Sequence, residues 1–302
     1  MRSSKMSTSG TESEFLKHLG NHYLAIVYTY AATESAYEGC MAYSCCLVKK
    51  GGVFFILTAG HAINDLVEHL REKKIRITGR YLVDIYGSGA KSSVPIPFDP
   101  LSVPRRIIDN DGLDYALLQV PSNTQELLKA NGLDPYPLKV ADRPPESDFY
   151  KYIVVGFPSE KVECDISPEK EKVCVVTQPY GIELLRQADD NSKKKPRFHG
   201  KIAGPVPLKS PKGMSGGPIF GLVRKDDETD DAYLVAVQHS KGEGNSDDIF
   251  GSLIDEIWND VASSAIIGGA NTISPDVLMI CGYVTNAAEA ASPPTDHSNH
   301  EA

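Results

Sequence analysis

A serine set among glycines in residues 213–218 (GMSGGP) constrains this chain more than any other segment. Glycine adopts backbone dihedral angles that other residues resist, so the segment predicts a tight turn around Ser215. The apolar run at 217–223 predicts that this turn leads into a β-strand. Taken alone, the segment is also compatible with an ordinary turn between strands, so its meaning depends on the rest of the chain.

Two upstream runs contain the groups that a serine nucleophile needs. A hydroxyl is a weak nucleophile at neutral pH and requires a base, and the imidazole of His61, which ends the run LTAGH, is the candidate. A carboxylate on the far ring nitrogen fixes the imidazole tautomer and stabilises the imidazolium. Asp114, which opens the run DYALL, is the candidate for that role. Asp109 and Asp111 are alternatives, but neither directly precedes an apolar strand.

The order His61, Asp114, Ser215, with an apolar run beside each residue, resembles the chymotrypsin/trypsin-like serine peptidases, in the short form found in many bacterial proteins. The resemblance implies a catalytic triad of these three residues and an oxyanion hole made by the backbone N–H groups of Gly213 and Ser215. It also implies an all-β fold of two six-stranded antiparallel β-barrels, with the active site in the cleft between them, plus a C-terminal helix.

Runs of polar residues and prolines divide the chain into two halves, and Pro144 and Pro145 favour an extended linker between them. The predicted folded segments are an N-terminal barrel at 14–140, a linker at 141–150 and a C-terminal barrel with helix at 151–265. Disordered tails are predicted at 1–13 and 286–302. Residues 266–285 form a C-terminal extension to which the sequence assigns no role. Strands are expected at 23–31, 41–49, 52–59, 74–86, 114–120, 152–158, 171–178, 198–203, 217–223 and 233–239, and helices at 62–70 and 252–264.

The chain departs from better-known relatives around the expected substrate pocket. Lys209 stands where trypsin has an aspartate, so a preference for Lys or Arg before the cut is not expected. Lys209, Lys212 and His239 bring positive or titratable groups near the pocket, which favours an acidic substrate residue. Met214 replaces the aspartate that pairs with a new N-terminus in secreted digestive members, so that activation switch cannot operate. We therefore expect a narrow or gated activity, and a regulatory protein partner is one way to gate it.

Composition narrows the alternatives. A net charge of −9 over 302 residues argues against nucleic acid or an anionic membrane as the main partner. No phosphate-binding loop or clustered metal-ligand motif is present in the sequence, so we expect no cofactor and no metal. The N-terminal sequence lacks the pattern of a secretory signal, and no apolar run reaches the ~20 residues that span a bilayer, so a cytoplasmic location is expected.

Two further interpretations concern the cysteines and the functional class. The cysteines show no disulfide or metal spacing and are interpreted mostly as small buried apolar residues; they are Cys40, Cys45, Cys46, Cys164, Cys174 and Cys281. The favoured function is a serine endopeptidase that acts on a protein or peptide substrate through an acyl-enzyme. The alternative is a binding module with a protease fold and a latent or inactive site. Covalent trapping of Ser215 separates the two.

Overall fold

The computed structural model describes residues 19–32, 38–72, 75–84, 96–110, 112–138, 143–167, 172–177, 179–206, 208, 212–225, 229–242 and 246–264. The predictions for the tails at 1–13 and 286–302, for the extension at 266–285, and for Lys209 and Asp111 lie outside these residues.

The N-terminal half is one β-sheet with two helices. Its strands are β1 (Tyr23–Ala32), β2 (Glu38–Lys50), β3 (Val53–Thr58), β4 (Ile75–Val83), β5 (Ile96–Pro97), β6 (Arg105–Asn110), β7 (Leu113–Gln119) and β8 (Tyr136–Pro137). They pair in the order β5-β4-β1-β2-β3-β7-β6, and β8 pairs with β2. Helix α1 (Gly60–Arg71) follows β3, and helix α2 (Ser122–Ala130) follows β7.

The β2–β3 hairpin shows how local sequence fixes this register. Gly51 and Gly52 have φ values of 55° and 87°, and the flanking residues Lys50 and Val53 pair with each other. A two-residue turn with positive φ at both positions matches the twist of antiparallel strands, and glycine adopts it without steric cost. The hairpin therefore holds β3, which leads directly to His61, at a fixed place in the sheet.

The C-terminal half is a closed six-stranded barrel in which the strands pair in the order β12-β13-β16-β15-β14-β9. The strands are β9 (Lys151–Gly156), β12 (Tyr180–Arg186), β13 (Arg197–Ile202), β14 (Pro218–Arg224), β15 (Asp230–Lys241) and β16 (Asp248–Leu253). A separate hairpin of β10 (Val162–Ser167) and β11 (Lys172–Thr177) follows β9. Helix α3 (Ile254–Ser264) begins directly after β16, and no described helix is long and apolar enough to cross a bilayer.

The predicted fold class, all-β with a C-terminal helix and a chymotrypsin-type arrangement, is confirmed. The closed barrel has the expected six strands. The first half has more strands than expected, because the two-residue strands β5 and β8 extend its sheet. Its described strands form an open path from β5 to β6.

One apolar cluster joins the two halves. Leu57 and Tyr115 of the first half belong to the same buried cluster as Phe157, Phe220 and Trp258 of the second. Burial of a large apolar side chain contributes about 1.5–3 kcal/mol, so a shared core of this kind holds the halves in one orientation. The site between them is thus built on packed strands rather than on loops alone.

Candidate active site

His61 lies in the first turn of α1, immediately after β3, and one carboxylate holds it at two points. Its ring Nδ1 lies 2.6 Å from Asp114 Oδ2, and its backbone N–H donates to Asp114 Oδ1 over 3.0 Å. When Nδ1 carries the proton, Nε2 keeps a free lone pair. Asp114 therefore fixes both the ring tautomer and the start of the helix.

Asp114 is in turn held by the barrel. Its backbone N–H donates to Ser252 Oγ over 2.8 Å, and Ser252 Oγ donates to its carbonyl oxygen over 2.9 Å. Asp114 is buried in β7, and Ser252 is fully buried in β16. This hydroxyl links the two halves next to the carboxylate that orients His61.

The electrostatic surroundings of His61 favour its protonated form. Burial lowers the pKa of His61, but the hydrogen bond and the charge of Asp114 outweigh burial, and Asp65 and Asp109 add to their effect. The pKa of His61 is therefore raised above 6.5. An imidazole in this setting accepts a proton from a neighbouring hydroxyl more readily than a free imidazole does.

The Ser215 turn is pressed against the first half, which explains its glycines. Gly216 has a φ of +88°, and a Cβ at this position would lie 2.1 Å from both Ser44 O and Thr58 Oγ1. The N–H of Gly216 donates to Gln238 O over 2.7 Å, which ties the turn to β15. A residue with a side chain would have to separate the turn from the sheet that carries His61.

Gly213 opens the turn with a φ of +89°. Its carbonyl oxygen accepts a hydrogen bond from Ser44 Oγ over 2.9 Å, and Ser44 Oγ accepts one from the N–H of Phe157 over 2.8 Å. The carbonyl oxygen of Lys212, in the same peptide unit as the N–H of Gly213, accepts from Ser159 N–H over 2.7 Å, and the N–H groups of Gly213 and Ser215 donate to no backbone carbonyl within the described ranges. Both amides are thus able to donate to a ligand.

Ser215 and His61 face one cavity without a hydrogen bond between them. Ser215 Oγ donates to His239 O over 3.4 Å, and no hydrogen bond links it to the imidazole. Both residues, with Gly213, line a cavity of about 430 Å³. Bonds between nucleophile and base are often long in ligand-free sites. The structure thus brings His61 and Ser215 to one cavity and pairs His61 with Asp114.

The residues expected around the substrate pocket are separated in the structure. Lys212 lines the cavity with His61. His239 is 7% exposed, and its Nε2 has no hydrogen-bond partner among the described residues. Burial lowers the pKa of His239 to about 4, so the ring is neutral at neutral pH. Asp109, a weighed alternative to Asp114, instead accepts a hydrogen bond from Asn64 Nδ2 over 3.3 Å.

The interpretation of the cysteines needs one correction. Cys45 and Cys46 are free and buried, as expected, and burial raises both thiol pKa values. Cys40, which lines the cavity, is disulfide-bonded. Sequence reasoning missed this bond because a disulfide needs two cysteines that the fold brings together, and their spacing along the chain gives no signal of it.

Other contributors were also missed by sequence reasoning. Ser44 and Ser252 hold Gly213 and Asp114 across the interface between the halves, and nothing in their local sequence marks them. Asp65 and His69 line the cavity from α1. Their spacing from His61, at one and two turns of the predicted helix, was a signal available in the sequence.

No protein-family model and no curated protein matches this chain. Several solved protease structures resemble it at low identity. Deg5 aligns with a TM-score of 0.46 and 13% identity, covering 85% of this chain and 95% of Deg5. The protease Anisep from Arthrobacter nicotinovorans aligns with a TM-score of 0.40 and 15% identity, covering 80% of this chain and 94% of Anisep. The active form of the Rv3671c protease from M. tuberculosis aligns with a TM-score of 0.41 and 12% identity, covering 91% of this chain and 95% of that protease. By its own sheet topology and the order of its three motifs, the chain has the chymotrypsin-type fold of the trypsin-like serine proteases.

Proposed function

We propose that the protein is a serine endopeptidase that hydrolyses peptide bonds in a protein or peptide substrate. Ser215 is the nucleophile, His61 the general base and acid, and Asp114 the residue that orients the imidazole. The observation that carries this proposal is the two-point contact between His61 and Asp114, on the cavity that Ser215 also lines. A carboxylate on the far nitrogen of an imidazole fixes the tautomer that leaves the near nitrogen able to accept a proton.

The proposed reaction runs through an acyl-enzyme. Ser215 Oγ attacks the substrate carbonyl carbon as its proton passes to His61 Nε2, and the carbonyl oxygen becomes an oxyanion. The N–H groups of Gly213 and Ser215 donate to this oxyanion, and one such donor contributes about 3–4 kcal/mol. The C–N bond then breaks as His61 returns the proton to the leaving amine. A water molecule attacks the acyl-enzyme in the same way and releases the acid.

The substrate segment before the cut would add a strand to the edge of β15. Ser240 and Lys241 pair with β16, whereas the described pairs between β14 and β15 end at Val237. One edge of β15 beside Ser215 is therefore open to an extended peptide. The preference for an acidic residue before the cut stays the expectation drawn from Lys209, Lys212 and His239 in the sequence.

We extend the proposal to a gated activity, in which substrate or a regulatory protein partner completes the site. The hydroxyl of Ser215 donates to His239 O rather than to His61, so it has to reorient before attack. The compartment also remains a prediction. The sequence favours the cytoplasm, whereas the disulfide at Cys40 favours an oxidising compartment, because disulfides are rare in the reducing cytosol.

Fluorophosphonate labelling tests the proposed nucleophile. The native protein is expected to become labelled, and Ser215→Ala and His61→Ala are each expected to abolish labelling. The chain offers a matched control, because His199 Nε2 lies 2.9 Å from Asp248 Oδ1 and Ser246 also contacts Asp248. There the serine contacts the carboxylate rather than the imidazole, so nothing removes its proton. His199→Ala and Ser246→Ala are therefore expected to keep the label.

Two outcomes would overturn the proposal. Labelling that survives in Ser215→Ala would place the nucleophile elsewhere. A folded native protein that stays unlabelled, alone and with candidate substrates present, would leave the protease-fold binding module as the function.

A further inference from the structure

Helix α1 places three ionisable residues along one wall of the cavity. Asp65 and His69 follow His61 by four and eight residues, and all three line the cavity that Ser215 also lines. With a rise of about 1.5 Å per residue, Asp65 lies about 6 Å and His69 about 12 Å farther along the helix axis than His61. The mechanism uses only His61, so the other two are free for substrate recognition.

The carboxylate of Asp65 is available to a ligand. Asp65 is exposed, and no ion pair or hydrogen bond joins it to another residue in the described part of the chain. Its negative charge reaches the cavity, because it helps to raise the pKa of His61. The pKa of Tyr43, which lines the same cavity, is raised mainly by burial and further by the charge of Asp65. The Nδ1 of His69 is enclosed and unpartnered among the described residues, at the far end of this wall.

The other walls decide what kind of side chain fits. Met41, Ala42 and Val162 provide apolar surface in the same cavity as Asp65. Lys212, which also lines the cavity, lies in the segment next to Gly213 and already has an interaction partner of its own. An apolar wall that ends at a carboxylate accommodates the methylene stem and the cationic head of a Lys or Arg side chain.

The position of the cavity relative to Ser215 identifies the substrate segment that enters it. Its lining comes from α1, β2, residues 159–162 and residues 212–215, and none of it comes from β15. Because the open edge of β15 is the proposed place for the segment before the cut, the cavity lies on the opposite side of the nucleophile. The segment after the cut, which departs with the amine, is the one that reaches it.

We propose that this cavity binds the leaving segment of the substrate and that Asp65 selects a basic residue within its first three positions. The inference rests on the proposed function and adds a substrate class to it. It concerns the segment after the cut, and of the residues behind the preference before the cut only Lys212 is among those that line this cavity.

Binding to an inactive variant tests the inference without requiring catalysis. Fluorescent peptides that represent the leaving segment, with Lys, Ala or Glu at the first, second or third position in turn, are titrated into Ser215→Ala, and the Lys/Glu ratio is taken at the position where it is largest. We expect the Lys peptide to bind about 10-fold more tightly than the Glu peptide, which corresponds to about 1.4 kcal/mol. This ratio is expected to shrink as salt rises, because the contact is partly exposed.

Substitutions then assign the effect to one carboxylate. Asp65→Asn in the Ser215→Ala background is expected to bring the Lys/Glu ratio close to 1, and Asp65→Lys to reverse it. Glu68→Gln is the matched control, since Glu68 is an exposed acid on the same helix and is not among the residues that line the cavity. It is expected to keep the ratio.

The outcomes separate this inference from the proposed function. A Lys/Glu ratio near 1 in Ser215→Ala, or a ratio that Asp65→Asn leaves unchanged, would overturn the inference even where fluorophosphonate labelling succeeds. A ratio that depends on Asp65 in a protein whose native form stays unlabelled would support peptide binding by this cavity and refute catalysis. Should Asp65→Asn fold poorly, Asp65→Ser in the same background, which also removes the carboxylate, gives the same decision, since it too is expected to bring the ratio close to 1.

Discussion

At the scale of single residues, the nucleophile turn depends on glycines for two separable reasons. A positive φ is costly for a residue with a Cβ, and close packing leaves no room for one. Gly216 combines both conditions. Gly52 in the β2–β3 turn has a φ of +87°, but a methyl group there would meet no heavy atom within 4 Å. A comparison of Gly216 with Gly52 therefore separates the cost of backbone strain from the cost of a steric clash.

Alanine at these two positions is expected to have unequal effects. Gly52→Ala should lower the free energy of unfolding by about 1–2 kcal/mol through backbone strain alone. Gly216→Ala should cost clearly more and should also abolish labelling of Ser215, since Ser44 O and Thr58 Oγ1 occupy the space that the new methyl group needs. Urea unfolding of both variants measures the difference. Equal losses of stability would show that packing against the first half is not the constraint.

The pH dependence of activity follows from the surroundings of His61. A general base acts in its neutral form, so kcat/KM should fall as pH drops through the pKa of His61, which is raised above 6.5. Asp65→Asn should move this fall in kcat/KM to lower pH, because the substitution removes one of the negative charges that raise the pKa of His61. Glu68→Gln should leave it in place. If kcat/KM of the native protein on an uncharged substrate fell only at a pH well below 6.5, this description of the site would be contradicted.

At the scale of elements, β7 and β16 meet where Asp114 is held. Ser252 bonds both the N–H and the carbonyl oxygen of Asp114, and Asp260 of α3 accepts hydrogen bonds from Tyr115 O–H over 2.6 Å and from Arg106 Nε over 3.0 Å. These contacts join the barrel and its helix to the first half at Asp114 and Tyr115 of β7 and at Arg106 of β6. The register between the halves therefore determines where Asp114 stands.

Removal of the Ser252 hydroxyl should affect both stability and catalysis. Ser252→Ala leaves the buried N–H of Asp114 without an acceptor, which costs about 1–3 kcal/mol of unfolding free energy. It should also lower kcat/KM, since Asp114 loses a support on its backbone. Ser263→Ala, which removes an exposed hydroxyl bonded to Asp260 O within α3, should change stability by about 0.5 kcal/mol or less. Similar values for the two variants would rule out the interface contact as a support of Asp114.

A continuous apolar run made β7 predictable, whereas β6 and β12 have no such run and were missed. Strand β7 is buried at six of its seven residues and was expected from its sequence. In β12 only Ile182 and Leu184 are buried, and in β6 no residue is fully buried, so neither has a long apolar run. The same limit applies to the site. His61, Asp114 and Ser215 lie beside apolar runs, whereas Ser44 and Ser252 act on residues 169 and 138 positions away.

At the scale of the whole molecule, the shared core makes stability a property of both halves together. The buried cluster runs from Leu57 and Leu117 in the sheet to Val237 in the barrel and Ile257 in α3. A change in protonation at one buried position should therefore alter the unfolding of the entire molecule. His239, a buried residue of β15 whose backbone carbonyl accepts the hydrogen bond from Ser215 Oγ, is such a position.

The imidazole of His239 should make the protein less stable in mild acid. Burial is the main cause of its low pKa, Arg197 and His61 act in the same direction, and Asp114 opposes them; the pKa is about 4, against 6.5 for a free histidine. Below pH 6.5 the unfolded chain binds a proton that the folded protein excludes, so the contribution of His239 to stability is complete above 6.5 and is lost as pH falls toward 4. The shift corresponds to about 3 kcal/mol at most.

Urea unfolding of the native protein and of His239→Gln, at several values between pH 7 and pH 4.5, isolates this contribution. The difference in unfolding free energy between the two proteins should narrow as pH falls, because the glutamine does not titrate. The raised pKa of His61 acts in a different window, since it favours the folded state below pH 6.5 and that effect fades as pH rises through the folded pKa. A difference that stays constant down to pH 4.5 would mean that the His239 ring takes up its proton in place, with a partner or with water beside Nε2.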